Sequence, residues 1–198
     1  MGPRSLKIGG MDAARARRRR AACRALLNCA LVTLAAALPG TRAPGADAPL
    51  VVGGRAPALV VPLLDGRVFD LAALRGKVVI VNFWATWCSP CRAEMPQLDA
   101  LYRRHHAQGL ELLGVSVDDP SDRATVVLVM KSFTYPAALA AAAKVNDFGP
   151  PPAVPLTWVI DPAGIVRARL VAGNAAAMES LAKAALPLLP RPQETRAP

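Results

Sequence analysis

Two cysteines separated by two residues form the part of this sequence most suited to chemistry. Cys88 and Cys91 flank Ser89-Pro90, and this spacing is typical of a reversible dithiol–disulfide pair. The thiolate is the reactive form of cysteine, and a helix N-terminus lowers the thiol pKa from about 8.5 to about 3.5–7.5. Pro90 suits the first turn of a helix, because that position needs no backbone donor. We therefore predict that Cys88 is the nucleophile at a helix N-terminus and that Cys91, one turn inward, is the resolving thiol.

The residues on either side of this pair predict a strand before it and a helix after it. Residues 78–81 form a continuous β-branched run, which is typical of a strand buried on both faces. After the pair, apolar residues at helical spacing mark one face of a helix. They are Met95, Leu98, Leu101 and Tyr102. A strand that passes into a helix through a Cys-x-x-Cys motif indicates a redox site.

Residues 82–96 resemble the thioredoxin superfamily and, within it, the TlpA/ResA-like (DsbE-like) thiol:disulfide oxidoreductases. The match is carried by Asn82-Phe83-Trp84-Ala85-Thr86-Trp87-Cys88-Ser89-Pro90-Cys91-Arg92-Ala93-Glu94-Met95-Pro96, Val154-Pro155 and Ile160-Asp161. It extends over residues 60–171. The resemblance implies an α/β, thioredoxin-like fold, with a central mixed sheet, helices on both faces and an added N-terminal β-hairpin. It also implies a redox-active disulfide between Cys88 and Cys91, with no cofactor and no metal.

The resemblance also assigns substrate-binding residues. The proline that matches Pro155 follows a cis peptide in this fold and lies beside the cysteines, and X–Pro bonds have little preference for trans. The backbone of Val154 is then expected to pair with an extended substrate segment. The alternative is an ordinary trans proline in a Pro-rich loop, 150–153, which is one residue longer than is usual in the family. Trp87, next to Cys88, is expected to shape the substrate groove.

An acid–base group is expected near Cys91, which must lose its proton before it reacts. In thioredoxin a buried aspartate six residues before the first cysteine serves this purpose, but here that position is Asn82, which does not titrate. The TlpA/ResA-like branch has a glutamate three residues after the second cysteine, and Glu94 matches it. If Glu94 is partly buried, its pKa should rise toward neutral. The alternative is a solvated glutamate near the helix N-terminus.

The net charge of +10 does not indicate nucleic-acid binding, because it is concentrated at the N-terminus. Residues 1–46 hold nine of the 24 Lys and Arg and one of the 14 acidic residues, so residues 47–198 have a charge of only +2. A nearly neutral body lacks the basic patch expected of a phosphate-binding surface.

The basic N-terminus is instead typical of an export signal. An arginine-rich run, 15–24, precedes an apolar stretch, 25–38, that is shorter than the ~20 residues of a typical membrane span. Cleavage within 43–49 would release a soluble periplasmic protein, and an uncleaved leader would anchor the protein in the inner membrane, facing the periplasm. Of the four cysteines, Cys23 and Cys29 lie in this leader. The exported body therefore keeps only the motif pair.

The remaining pattern predicts one domain of alternating strands and helices. We expect a leader and linker at 1–48, a thioredoxin-like domain at 49–190 and a flexible tail at 191–198. Asp65-Gly66 between apolar runs predicts a hairpin with a two-residue turn, in which both residues have positive φ. The resemblance predicts a helix at 122–132, although its β-branched residues favour a strand. The other predicted elements are strands at 110–117, 133–136, 156–160 and 165–171 and helices at 137–145 and 175–186.

The sequence gives weaker support to three other functions of a Cys-x-x-Cys motif. A zinc site needs two more ligands, and the only histidines, His105 and His106, are adjacent and would point about 100° apart on a helix. A copper(I) carrier needs a third soft ligand, and only Met95 is near. A peroxidase relative needs a proline–threonine setting, in which Thr86 is present but the proline is absent.

The sequence therefore predicts an enzyme, a thiol:disulfide oxidoreductase of the bacterial envelope. The resemblance implies that it reduces disulfides in apocytochrome c or in copper-site assembly proteins. It also implies that a membrane thiol-reductase of the DsbD/CcdA type supplies the electrons. The alternatives are a copper(I)-binding thiol carrier and a disulfide oxidase or isomerase, because Ser89-Pro90 alone does not fix the direction of electron flow.

Overall fold

The computed structural model describes residues 50–171 and 174–190. The predicted leader, its cleavage region and the tail lie outside the described residues. Within them, no helix is both long and apolar enough to cross a membrane. In chain order the elements are β1 (Leu59–Pro62), β2 (Val68–Asp70), β3 (Val78–Trp84), α1 (Ser89–His105), β4 (Leu110–Ser116), α2 (Arg123–Met130), β5 (Ala137–Leu139), β6 (Val145–Asn146), β7 (Leu156–Ile160), β8 (Val166–Leu170) and α3 (Ala175–Ala185).

Strand β3 is the middle strand of a five-stranded mixed sheet with the order β5-β4-β3-β7-β8. All of its side chains are buried, as the apolar run predicts. On one side β4 runs parallel to it, and on the other side β7 runs antiparallel. Because β3 is central, the residues that follow its end are flanked by both neighbouring strands.

A small second sheet has the order β2-β1-β6. Strands β1 and β2 pair as an antiparallel hairpin, but the predicted two-residue turn is wrong. The N–H of Leu63 bonds to the carbonyl of Arg67 at 2.8 Å, which closes a three-residue loop. Only Gly66 in this loop has a positive φ, +89°. Among the described residues, every residue with a positive φ is a glycine. Asp65 instead accepts the N–H of Arg67 at 3.0 Å, so its side chain stabilises the loop.

The two faces of the central sheet have different coverings. On one face, Ile80 and Trp84 pack in a core to which all three α-helices contribute. On the other face, Val81 and Phe83 pack against apolar residues of the small sheet. The cysteine pair belongs to the helical face.

The strand predicted at 133–136 and the helix predicted at 137–145 are both wrong. The chain instead forms β5, a short 3₁₀ turn and β6 in this region. Alanine favours helix in an isolated segment, but β5 pairs parallel with β4, and Ala138 is completely buried on the small-sheet face. Tertiary pairing therefore overrides local propensity. The opposite conflict at 122–132 is resolved in favour of the helix, because α2 forms there with Val126 and Met130 buried.

Candidate active site

The two cysteines lie where β3 passes into α1. Cys88 is the N-cap of α1, and a disulfide joins it to Cys91. The backbone N–H of Cys91 donates a hydrogen bond to the sulfur of Cys88 at 3.2 Å. This donor and the helix N-terminus favour negative charge on that sulfur when the disulfide is open. Cys88 is 5% exposed and Cys91 is completely buried, so only the first cysteine has any surface in contact with solvent.

The turn before Cys88 is held by Asp118, a residue that the sequence analysis did not single out. Its carboxylate accepts the backbone N–H of Thr86 at 3.0 Å and the Thr86 hydroxyl at 2.7 Å. The hydroxyl of Ser116 donates a third bond at 2.7 Å. These donors satisfy a buried acidic group and fix the chain two residues before Cys88. The available signal was an aspartate two residues after the end of β4, the parallel neighbour of β3.

Glu94 is buried on α1, one helical turn after Cys91, with only 4% of its surface exposed. It is therefore not the solvated surface glutamate of the alternative interpretation. Burial raises the pKa of Glu94 to about 7, and a hydrogen bond from Asn82 opposes this rise. Because its pKa lies near neutral, this carboxyl can both accept and release a proton under ordinary conditions.

Asn82 and Thr157 complete the surroundings of Glu94, and the sequence analysis gave neither of them a role. The Asn82 side-chain amide donates to the Glu94 carboxylate at 2.8 Å and to the Thr157 hydroxyl at 2.9 Å. Asn82 and Thr157 are also direct cross-strand partners on β3 and β7. The available signal was the amide itself, because a polar side chain within a fully buried apolar strand must find partners.

The predicted cis peptide is present at Val154-Pro155. The carbonyl oxygen of Val154 lies 3.7 Å from the sulfur of Cys88, and Pro155 is buried. The fold thus brings the loop before β7 against the exposed end of the disulfide. This carbonyl belongs to the backbone that the resemblance predicts to pair with an extended substrate segment.

An apolar groove of about 620 Å³ begins beside the disulfide. Trp87, which is 69% exposed, lines it together with the Pro-rich loop of residues 149–154. Ala140 and Ala141 add small apolar side chains to the same groove. An exposed indole next to a reactive sulfur is a suitable contact for a protein segment, because aromatic side chains contribute large buried areas at interfaces.

The geometry does not support the metal-site or peroxidase interpretations. His105 is the last residue of α1, a 17-residue helix whose N-cap is Cys88, so roughly 25 Å of helix separates the histidines from the cysteines. In the described part of the chain, no three His, Cys, Asp or Glu residues are grouped so that they could hold a metal ion. Met95 is a buried core residue. The hydroxyl of Thr86 is already bound to Asp118.

Comparisons with known proteins identify a family and a similar curated protein. Residues 52–169 match the family described as AhpC/TSA. The chain is 37% identical to the thiol-disulfide oxidoreductase ResA of Geobacillus thermodenitrificans over 126 residues, which are 63% of this chain and 71% of that protein.

Solved structures of similar fold include the following two. The solution structure of a candidate protein disulfide isomerase from Bacteroides thetaiotaomicron has a TM-score of 0.63 and 29% identity. The alignment covers 71% of this chain and 91% of that protein's chain. The crystal structure of a thiol:disulfide interchange protein of the thioredoxin family from Chlorobium tepidum has a TM-score of 0.55 and 28% identity. The alignment covers 69% of this chain and 99% of that protein's chain. These similarities confirm the thioredoxin-like fold.

Proposed function

The chain belongs to the AhpC/TSA family and is a thiol-disulfide oxidoreductase, and we propose that it reduces protein disulfides in the bacterial envelope. The observation that carries this proposal is the unequal exposure of two joined sulfurs at a helix N-terminus. Cys88 is 5% exposed and lies 3.7 Å from the carbonyl oxygen of Val154, whereas Cys91 is completely buried. Such an arrangement suits a reaction in which one sulfur meets the substrate and the other completes the exchange.

In the first step, the thiolate of reduced Cys88 attacks a sulfur of the substrate disulfide. A bond forms between Cys88 and that sulfur, and the other substrate sulfur leaves as a thiolate. The Cys91 N–H and the N-terminus of α1 stabilise the attacking thiolate. The backbone of Val154 and the cis Pro155 hold the substrate segment extended across Cys88, and Trp87 contacts its neighbouring side chains.

In the second step, Cys91 resolves the mixed disulfide. Glu94 accepts the proton of the Cys91 thiol, and the resulting thiolate attacks the sulfur of Cys88. The bond between Cys88 and the substrate breaks, and the substrate leaves as a second thiolate. The protein ends with its own disulfide, so two electrons have passed to the substrate. Burial of Glu94 supports this role, because it raises the pKa to about 7.

The family resemblance supports a proposal about the substrate class, and the apolar groove beside Cys88 suits a protein segment. We propose oxidised cysteine pairs of apocytochrome c haem-binding sites, or cysteines of copper-site assembly proteins, as the substrates. A membrane thiol-reductase of the DsbD/CcdA type would reduce the protein again. The basic and apolar leader supports placement in the periplasm, either free after cleavage or anchored in the inner membrane.

The equilibrium reduction potential tests the direction of the reaction. Titration against glutathione or dithiothreitol should give a value close to the ~−270 mV of thioredoxin, because a reductant must hold its electrons weakly. A value near the ~−120 mV of a strong oxidant would contradict the proposal and support the oxidase alternative.

A peptide assay tests the substrate class. The reduced protein should convert an oxidised Cys-x-x-Cys-His peptide, the haem-attachment sequence, to its dithiol, and Cys88→Ser should abolish this conversion. A peptide of the same composition with a scrambled order around its two cysteines is the control for selectivity. Tight Cu(I) binding with negligible peptide reduction would instead identify a copper carrier, since soft thiolates bind Cu(I).

A further inference from the structure

Asn82 is a buried polar residue that the reaction scheme above does not use. It lies in β3, where every other residue is apolar, and its side chain is completely buried. Burying an amide without partners is costly, so a buried amide normally forms hydrogen bonds. Both hydrogens of its NH₂ group are used: one bonds to Glu94 Oε1 at 2.8 Å and the other to Thr157 Oγ1 at 2.9 Å. We propose that Asn82 is a positioning residue, whose amide, fixed by Thr157, holds the carboxylate of Glu94 in the interior one turn from Cys91.

The three residues come from three elements that pack against one another. Asn82 is on β3, Glu94 is on α1 and Thr157 is on β7. Asn82 and Thr157 are cross-strand partners, so the backbone fixes the distance between them. Thr157 is itself 95% buried, which leaves its hydroxyl little freedom to choose another partner. The strand pairing and Thr157 therefore hold the Asn82 amide facing α1, whatever the protonation state of Glu94.

The other groups near Glu94 do not supply a positive charge. Tyr135 is buried, and burial and the negative charges of Asp99 and Glu94 raise its pKa, so it remains a neutral phenol. Asp99, further along α1, forms an ion pair with Arg103 at 3.0 Å. None of the ion pairs among the described residues includes Glu94. The two cysteines do not titrate while the disulfide is closed. The donor to the ionised carboxylate is thus the neutral amide of Asn82.

An amide suits this place because it serves both protonation states of a carboxyl. Its NH₂ group donates to ionised Glu94, as the structure has it. Its Oδ1 atom has no hydrogen-bond partner among the described residues. Rotation of the amide by about 180° would bring this oxygen to protonated Glu94 as an acceptor; the Thr157 hydroxyl, which now accepts from the NH₂ group, would then donate to the oxygen. An aspartate at this position would compete for the same proton. Asn82 cannot, so the proton from Cys91 goes to one group only.

This inference rests on the proposed function, because it assigns a partner to the proposed proton acceptor. The test compares oxidised wild type, Asn82→Leu, Thr157→Val and Thr157→Ser. The pH midpoint of Glu94 ionisation is read from the infrared carboxyl band that Glu94→Gln removes. Loss of a hydrogen bond to an ionised group is worth about tenfold to hundredfold in proton affinity, so Asn82→Leu should raise the midpoint by about one to two pH units. Thr157→Val should raise it less, and Thr157→Ser, which keeps the hydroxyl, should leave it unchanged.

Thr134→Val is the matched control. The Thr134 hydroxyl bonds to Asp99 at 2.8 Å, so this change also removes a hydroxyl donor to a carboxylate of α1, but not to Glu94. It should leave the Glu94 midpoint in place. A folded Asn82→Leu protein with an unmoved midpoint would overturn the proposal. If Asn82→Leu does not fold, equal midpoints for Thr157→Val and Thr157→Ser would overturn it.

A kinetic arm separates this proposal from the proposed function. The pH profile of mixed-disulfide resolution should shift to higher pH in Asn82→Leu, in parallel with the infrared midpoint. If the midpoint shifts while wild type and Glu94→Gln have the same kinetic profile, Asn82 positions Glu94 as proposed, but Glu94 is not the proton acceptor. If Glu94→Gln alters the profile and Asn82→Leu changes neither readout, the positioning role fails and the function stands.

Discussion

Replacing Glu94 by glutamine should change how the stability of the oxidised protein depends on pH. Burial raises the pKa of Glu94 from its ordinary value of 4.5 to about 7. Between these values the folded protein holds a proton that the unfolded chain has released, so the free energy of unfolding falls as pH rises. The contribution is fully present below pH ~4.5 and is lost as pH rises through ~7. A rise of about 2.5 pKa units at ~1.36 kcal/mol each gives a total loss of about 3 kcal/mol.

Denaturant unfolding of wild type and Glu94→Gln between about pH 4 and about pH 9 measures this loss. Glutamine keeps the size of the side chain but cannot titrate, and all other titrating groups are common to both proteins. The difference in their free energies of unfolding should fall by about 3 kcal/mol, with a steepest slope of about 1.4 kcal/mol per pH unit, and become flat above pH ~8. The oxidised state excludes titration of Cys88 and Cys91, which are joined in the disulfide. A difference that does not vary with pH would refute the argument that burial keeps this carboxyl protonated.

Three further predictions concern the thiols, the packing and the leader. Cys91→Ser should trap a mixed disulfide with substrate and Cys88→Ser should not, as gel electrophoresis under non-reducing conditions would reveal; the reverse result would exchange their roles. Gly114→Ala should destabilise the protein by about 1–3 kcal/mol, because its new methyl group would lie 3.1 Å from the Trp84 indole nitrogen; thermal unfolding measures this, and an unchanged midpoint would contradict it. The exported protein should begin within residues 43–49 or stay bound to the membrane, and N-terminal sequencing decides; the full chain recovered from the soluble cytoplasm would exclude both.

The centre of the fold was predictable because several signals agree there. The apolar run of β3, the proline after Cys88 and the helical spacing that begins at Met95 all predict the strand–turn–helix unit that the structure contains. The fold adds the carbonyl of Val154, which reaches the sulfur from 66 positions further along the chain. The position of that carbonyl came from the family resemblance, because no local signal in the Pro-rich loop gives a contact over such a separation.

The partners of buried polar groups were not predictable in the same way. The bond from Asn82 to Glu94 and the bonds to Asp118 depend on which residues of neighbouring elements lie opposite one another. From the sequence one can predict that a buried polar residue needs a hydrogen-bond partner. The register of the sheet determines which residue that partner is. The helix prediction for the alanine-rich segment 137–145 was wrong for a related reason. The pairing of β5 with β4 at the sheet edge is a long-range interaction, which local helix propensity does not include.

The redox disulfide also affects how durable the protein is over repeated turnovers. It is the sole disulfide among the described residues, and its cysteines are only three positions apart. In the chain-entropy description a ring this small restricts the unfolded chain by only about 2 kcal/mol, compared with about 4.7 kcal/mol for a 100-residue loop. Each opening of the bond therefore removes less stability than the opening of a long-range disulfide would, while the two cores on either face of the central sheet stay buried. A redox pair at this short spacing therefore changes the free energy of unfolding less in each catalytic cycle than a disulfide between distant parts of the chain would.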